Sequence, residues 1–275
     1  MIRAIKLEWL KISKYRKFWI LIAMYMIALM VVSSLGTFFL AWLKIKGADF
    51  QGIDPTIIPI YDFPDIWQNL AYLASIFKVL PAFIVIISVS NDISSNTLRQ
   101  NIIDGLSKWE YFLSKFGLIL TLALLSMIML LLSGMVNGFL YSSVIEAYYI
   151  FDELEFVLAA GWEVLVYCTM AFLLTLIIKR TGFAIVILLF YTVIFEPILV
   201  AIINYSHITK NTLFPQFTKF LPVQSLHDLI NIPFGRYIFL EIEDNVPLLA
   251  LVISLIWLII YVSGIMYVLI KKDLK

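Results

Sequence analysis

Charge and cysteine are both scarce in this chain of 275 residues. Asp, Glu, Lys and Arg make up 14% of it, whereas 62% is hydrophobic, and the mean hydropathy is +0.97. Ordinary soluble domains are about 45–50% apolar and about 25% charged, so the chain is predicted to be an integral membrane protein. The net charge of +1 shows no bias toward nucleic acid as a partner.

The sequence lacks the short motifs of redox, metal and nucleotide chemistry. Cys168 is the single cysteine, so an internal disulfide is excluded, and no C-x-x-C or Cys/His ligand pattern is present. The two histidines, His207 and His227, are interpreted as ordinary polar loop residues. Since a G-x-x-x-x-G-K-[ST] phosphate loop is also missing, the chain is predicted to bind no cofactor or metal and to have no catalytic residue.

What the sequence has instead is six long apolar segments. A bilayer core of roughly 30 Å requires about 20 apolar residues per helix, and each segment meets that length. The second is the weakest because it contains Lys78 and Pro81. The predicted fold is an all-α polytopic membrane protein with an N-terminal helix at 1–17 and a six-span domain over 18–275. The spans are predicted at about 18–41, 67–90, 113–140, 157–178, 183–203 and 247–270.

The distribution of Lys and Arg predicts the orientation of these spans. Fourteen of these residues flank the spans on the side of both termini, and five lie on the other side. Both termini are therefore predicted to be cytoplasmic, in a bacterial inner membrane or a plasma membrane. Residues 1–17 are predicted to form an amphipathic helix in the inner interface, with Trp9 at headgroup depth. The alternative is a basic flank that only sets the topology.

The long outer loop between the fifth and sixth spans contains the sequence PVQSLHDLINIPFG. Pro222 is suited to open a short helix, and Pro233 with Gly235 to end one. Short external helices, forming a compact cap or a re-entrant pair, are predicted here.

The cytoplasmic loop between the second and third spans reads NDISSNTLRQNIIDGLSKWEYFLSK. Its apolar residues recur at helical spacing, which predicts a short amphipathic helix from about Ser94 to Asp104. Gly105 can adopt the left-handed conformation that ends a helix. Ser107 and Glu110 form a capping-box pattern, which predicts a new helix running into the third span. The loop is therefore predicted to be a helix, a sharp turn and a helix.

The same loop resembles that of the ABC-2 type permeases, the membrane subunits of ATP-binding-cassette exporters. The matching pattern is Asp92-x-x-x-x-Thr97-x-Arg99, followed by Gly105-x-Ser107-Lys108-x-x-Tyr111-x-x-x-Lys115. The family usually has Glu where this chain has Asp92, a shorter acid. The six predicted spans, the N-terminal helix and the large outer loop also resemble the family.

This resemblance implies that the loop contains a coupling helix that docks on a separate ATPase. ATP and Mg²⁺ would bind to that partner, and a second copy of the chain or a related permease would complete the transporter. The cargo stays open among lipids, amphipathic peptides, hydrophobic drugs and small ions. The residues expected to act in ATPase coupling are Asp92, Thr97, Leu98, Arg99, Ile102, Gly105, Ser107, Lys108 and Lys115.

Three ionisable residues fall within the predicted spans, where an unpaired charge is costly. Glu196, followed by the helix-breaking Pro197, is a candidate for lining a transport path. Glu163 and Lys78 are further candidates. The structural alternatives are that Glu163 snorkels to the outer loop and that Lys78 pairs with either acid as a bridge.

Other classes of function remain open from the sequence. An ion-coupled secondary transporter could use the two buried carboxylates, although no internal repeat is evident. A membrane scaffold that keeps the permease fold without transporting is also compatible. An intramembrane enzyme is disfavoured because no H-E-x-x-H or Ser/His pair lies in a span.

Overall fold

The computed structural model describes residues 13–14, 16–45, 60–143, 145–205, 217–233 and 245–271. All regular secondary structure in these residues is helical. The predicted interfacial helix lies, apart from its last residues, outside the described part of the chain. The helices are α1 (Arg16–Ile45), α2 (Ile66–Ser75), α3 (Val79–Ser94), α4 (Thr97–Ile103), α5 (Lys108–Tyr141), α6 (Ala147–Phe151), α7 (Glu155–Ile178), α8 (Thr181–Leu189), α9 (Glu196–Tyr205), α10 (Pro222–His227) and α11 (Leu248–Lys271).

Two pairs of these helices are joined without leaving a helical path. A 3₁₀ turn at Ile76–Lys78 joins α2 to α3, and a π-helical turn at Phe190–Phe195 joins α8 to α9. A further 3₁₀ turn, Thr218–Phe220, precedes α10. The first two junctions lie inside predicted spans, so a single span is built from two α-helices in each case.

Five helical stretches of the described residues are long and apolar enough to cross a membrane. They correspond to the predicted second to sixth spans, in agreement with a polytopic helical membrane protein. In α1, the apolar stretch Phe18–Ser34 is too short to be counted with these five, and the first span stays a prediction. The five stretches are Ile66–Ser94, Lys108–Tyr141, Ala147–Ile178, Thr181–Asn204 and Leu248–Lys271.

Helix α7 forms the centre of the bundle and packs against α2, α3, α5 and α11. It is apolar on all sides, as expected for a helix surrounded by others. Tyr167, Cys168 and Phe172 on this helix are fully buried. The paired α8 and α9 are also apolar all round but expose most of their surface, which is compatible with contact to lipid tails. Polar residues of the other spans therefore lie against α7 in the interior of the bundle.

Two glycines of α5 allow α2 to pack closely against it. Gly134 and Gly138 are four residues apart and therefore share one face of the helix. A Cβ atom at Gly134 would overlap the ring of Trp67, and one at Gly138 would overlap the ring of Phe63. The indole Nε1 of Trp67 also donates to the Ile150 carbonyl at 2.9 Å. This notch holds α2, and with it the start of the second span.

We expect Gly134→Val to destabilise the protein by about 1–3 kcal/mol, because the added methyl groups force the buried Trp67 ring to move. Thermal unfolding in detergent would measure the change. Gly182→Val is a matched control, since a Cβ atom at Gly182 meets no atom within 4 Å. Equal stability of the two variants would contradict the role of the notch.

The described part of the outer loop folds back into the bundle. Pro222 occupies the first turn of α10, as predicted. Leu226, Leu229 and Ile230 are buried, and the Trp257 Nε1 of α11 donates to the Phe220 carbonyl at 2.9 Å. A helical element between the fifth and sixth predicted spans is therefore confirmed. Helix α10 ends at His227, earlier than the stop predicted at Pro233, and Gly235 lies outside the described residues. We refer to residues 217–233 as the outer segment.

Candidate coupling and transport sites

Helix α4 begins later than the short helix predicted for this loop. Helix α3 continues through Ser94, and the break comes at Asn96, which has φ of 56° in the left-handed region. Asn is one of the few residues other than glycine that adopt this conformation readily. The prediction of a helix from about Ser94 is therefore wrong by one turn, because apolar periodicity alone does not mark a left-handed break.

The end of α4 confirms the predicted role of Gly105. This glycine has φ of 95°, its N–H donates to the Ile102 carbonyl at 3.1 Å, and the Leu106 N–H donates to the Asn101 carbonyl at 2.8 Å. These two bonds form a Schellman motif, which satisfies helix-end carbonyls and reverses the chain. A residue with a side chain would be strained in this conformation.

The start of α5 confirms the predicted capping box. The Glu110 N–H donates to Ser107 Oγ at 3.1 Å, and the Ser107 N–H donates to Glu110 Oε2 at 3.0 Å. From this cap α5 continues for 34 residues, or about 51 Å at 1.5 Å per residue. Because a bilayer core is roughly 30 Å thick, α5 extends well beyond it and carries the loop as a rigid continuation of the span.

A buried ion pair ties the two ends of the loop together. Asp92 Oδ2 lies 2.6 Å from Lys115 Nζ, and the side chains are 1% and 0% exposed. Lys115 Nζ also donates to Ser88 Oγ at 2.7 Å. Lys108 Nζ donates to the Ile270 carbonyl at 3.1 Å, so it satisfies a carbonyl in the last turn of α11. The loop is thus joined to α3, α5 and α11.

The structure separates the predicted coupling residues into two groups. Asp92, Leu98 and Lys115 are buried, so they hold the loop in place and do not face a partner. Gly105 and Ser107 are exposed, whereas Thr97, Ile102 and Lys108 are partly buried. The side chain of Arg99 lies outside the described part of the structure.

Two exposed residues were missed as site candidates. Ile103 is 75% exposed and Trp109 is 51% exposed, at the same end of the bundle as Gly105 and Ser107. The sequence contained a partial signal for Ile103. Successive residues of a helix lie on different faces, so Ile102 and Ile103 cannot both face the bundle. We refer to Ile103 and Trp109 as the apolar tip.

Lys78 and Glu163 form a buried ion pair between the second and fourth spans. Lys78 is 4% exposed and Glu163 is 1% exposed, and the Lys78 ammonium lies 5.6 Å from the centre of the Tyr167 ring. The structural alternative for Lys78, a bridge to an acid, is confirmed. The alternative in which Glu163 snorkels outward is wrong, because its carboxylate points into the bundle.

Glu196 has a different partner, the outer segment. Its Oε1 accepts a hydrogen bond from the Gln224 N–H at 2.6 Å. Glu196 is 2% exposed, whereas the neighbouring Pro197 faces outward. The predicted distortion of this span takes the form of the π-helical turn before Glu196. Pro197 lacks the N–H that a helix requires at this point.

The three intramembrane ionisable residues lie at a similar depth. At 1.5 Å per residue, Lys78 is about 24 Å from Ser94, and Glu163 is about 22 Å from Ile178. Glu196 is about 22 Å from Thr181. A hydrogen bond from Tyr167 Oη to Thr192 Oγ1, 3.3 Å long, crosses between the fourth and fifth spans near this level. We call Lys78, Glu163, Glu196, Tyr167 and Thr192 the inner polar layer.

Among the described residues, no group of three or more His, Cys, Asp or Glu is placed to hold a metal ion. Two candidate sites have been described above. One is the loop with its apolar tip, and the other is the inner polar layer with the outer segment. In comparisons with known proteins, no family model matches the chain, and no curated protein matches it.

Proposed function

We propose that this chain is the permease subunit of an ABC-2 type exporter, driven by ATP that separate ATPase subunits hydrolyse. It would work as a dimer, with a second copy or a related permease, in a cell membrane with both termini in the cytoplasm. The observation that carries the proposal is the capped and anchored loop between the second and third spans. The resemblance of its residues to the permease family is the reason for proposing an ATPase as the partner.

The loop has the mechanical properties that coupling requires. Helix α4 is closed at both ends by left-handed residues, Asn96 and Gly105. The buried Asp92–Lys115 pair joins α3 to α5, the two helices that flank α4. A movement of α4 therefore moves two spans together, whereas a flexible loop would absorb the movement.

The apolar tip offers a surface for the ATPase. Exposed apolar side chains at the edge of a polar loop are typical of protein contact sites, and aromatic residues are enriched in interface centres. Ile103 and Trp109 are such residues, placed beside the exposed Gly105 and Ser107.

We expect Ile103→Asp to reduce recovery of a P-loop ATPase with the tagged chain from its native membranes by tenfold or more. A charge in an interface centre costs about 2 kcal/mol or more. Quantitative mass spectrometry of the purified complex would measure the recovery. Ile145→Asp is the matched control, because Ile145 is 54% exposed on a loop outside the coupling segment. Equal recovery with both variants, or no P-loop ATPase with the parent chain, would contradict the proposal.

An ion-coupled transporter is the second candidate function, and the inner polar layer favours it. Two carboxylates, Glu163 and Glu196, lie buried at a similar depth in adjacent spans. Proteoliposomes that contain this chain alone would separate the two candidates. Substrate movement driven by a proton or sodium gradient without ATP would support the ion-coupled function.

A further inference from the structure

The two oxygens of the Glu196 carboxylate are in unequal surroundings. Oε1 accepts the Gln224 N–H, whereas Oε2 is fully buried and has no hydrogen-bond partner among the described residues. An ionised carboxylate oxygen without a partner is costly in an apolar interior, and more so within a membrane. The surroundings therefore suit a neutral carboxylic acid better than a carboxylate.

The charges of the inner polar layer lead to the same conclusion. Lys78 contributes +1, and Glu163 and Glu196 together contribute −2 if both are ionised, so the layer would carry −1. Lys78 is already engaged by Glu163 in the buried ion pair. One carboxylate is left without a counter-charge in the described residues, and one proton would neutralise it.

The other titratable groups near Glu196 add no positive charge. The Tyr191 hydroxyl lies close to the Glu196 carboxylate on the same span, and Tyr261 approaches from α11. On the outer segment, desolvation and the positive charge of Lys78 lower the pKa of His227 to about 4, so this imidazole is neutral near pH 7. Asp228 is acidic, and it accepts a hydrogen bond from Gln224 Nε2 at 2.6 Å.

We infer that Glu196 is an intramembrane proton-binding site that controls the docking of the outer segment. In the docked state Oε2 holds the proton, and Oε1 remains an acceptor for the Gln224 N–H. Loss of the proton leaves a charged oxygen that requires water, and water reaches it only when the outer segment moves away.

The direction of the pH dependence follows from linkage. The docked state binds one proton more than the open state, so docking is strongest at low pH and weakens as the pH rises. The inference does not depend on an ATPase partner. It applies equally to a permease, for which the outer segment would gate the outer end, and to an ion-coupled transporter.

Infrared spectroscopy of the purified full-length chain tests the proton directly. We expect a carbonyl stretching band of a protonated carboxyl group at neutral pH, with a shift in D₂O, and its loss in Glu196→Gln. The band should persist in Glu146→Gln, a control at an exposed glutamate. Absence of the band from the parent protein, or its persistence in Glu196→Gln, would overturn the inference.

Labelling of a cysteine in the outer segment tests the docking. Ser225 is fully buried, and the native Cys168 can be removed as Cys168→Ala. In that background, the reaction of Ser225→Cys with a water-soluble maleimide should be slow at low pH and faster at high pH. The rates are referred to Glu146→Cys, an exposed reference thiol.

The variants at Glu196 decide between a proton and a fixed charge. Glu196→Gln keeps an acceptor for the Gln224 N–H without a charge, so it should label slowly at every pH. Glu196→Ala removes the acceptor, so labelling should rise roughly tenfold or more. Equally fast labelling of both variants would show that an ionised carboxylate holds the segment and would overturn the inference.

Discussion

Replacement of Lys78 by methionine is expected to lower the free energy of unfolding by about 3–5 kcal/mol, because it leaves Glu163 buried without its counter-charge. Glu163→Leu is expected to have a similar cost, since it strands the Lys78 ammonium. The double variant should recover most of the loss, because two apolar side chains replace the pair without an unpaired charge. SDS-induced unfolding in detergent, followed by tryptophan fluorescence, would measure the three values.

Lys219→Met provides the control for this cycle. Lys219 is exposed, so the same chemical change should alter stability by less than about 0.5 kcal/mol. If the losses of Lys78→Met and Glu163→Leu simply add in the double variant, the two residues are not energetically coupled. The ion pair would then not be what joins the second and fourth spans.

Asp92→Asn is expected to destabilise the protein by about 3–5 kcal/mol and to reduce ATPase recovery. It leaves the fully buried Lys115 ammonium without an anion. Asp92→Glu is the conservative comparison, because it keeps the charge and introduces the acid that the resembling family usually carries. The added methylene should cost about 1–3 kcal/mol through crowding, with ATPase recovery largely retained.

The pattern of recovery tests the positioning role of this pair. If Asp92 contacts the ATPase itself, Asp92→Asn should abolish recovery while leaving the unfolding free energy unchanged. If it positions α4, the two quantities should fall together, and Lys115→Met should behave as Asp92→Asn does. Ile103→Asp, at an exposed position, should reduce recovery with little change in stability.

Local sequence signals predicted the loop in detail. The capping box at Ser107 and Glu110 and the left-handed Gly105 involve residues within five positions of their partners. Short-range hydrogen bonds and backbone sterics therefore determine both features. The start of α4 was misplaced because Asn96 is less specific than glycine for the left-handed conformation. Leu98, two residues after this break, is buried.

Contacts between residues that are distant in the sequence could not be predicted from the sequence. Lys78 is 85 residues from Glu163, and Asp92 is 23 positions from Lys115. Glu196 is 28 residues from Gln224. Hydropathy shows that a charge within a span requires a partner, but Glu163 and Glu196 were equally available to Lys78. The partner depends on the relative depth and rotation of the helices.

The sequence by itself determined that the chain is helical and apolar enough for a membrane, where five helices of membrane-crossing length lie, and how the loop between the second and third predicted spans turns. These features follow from segment length, apolar composition and short-range backbone chemistry. Only the tertiary structure decided that Lys78 pairs with Glu163, that Asp92 and Lys115 anchor the loop from within, and that Glu196 holds the outer segment. The physical reason is that a buried charge is stabilised by whichever group the packing of whole helices brings within about 3 Å.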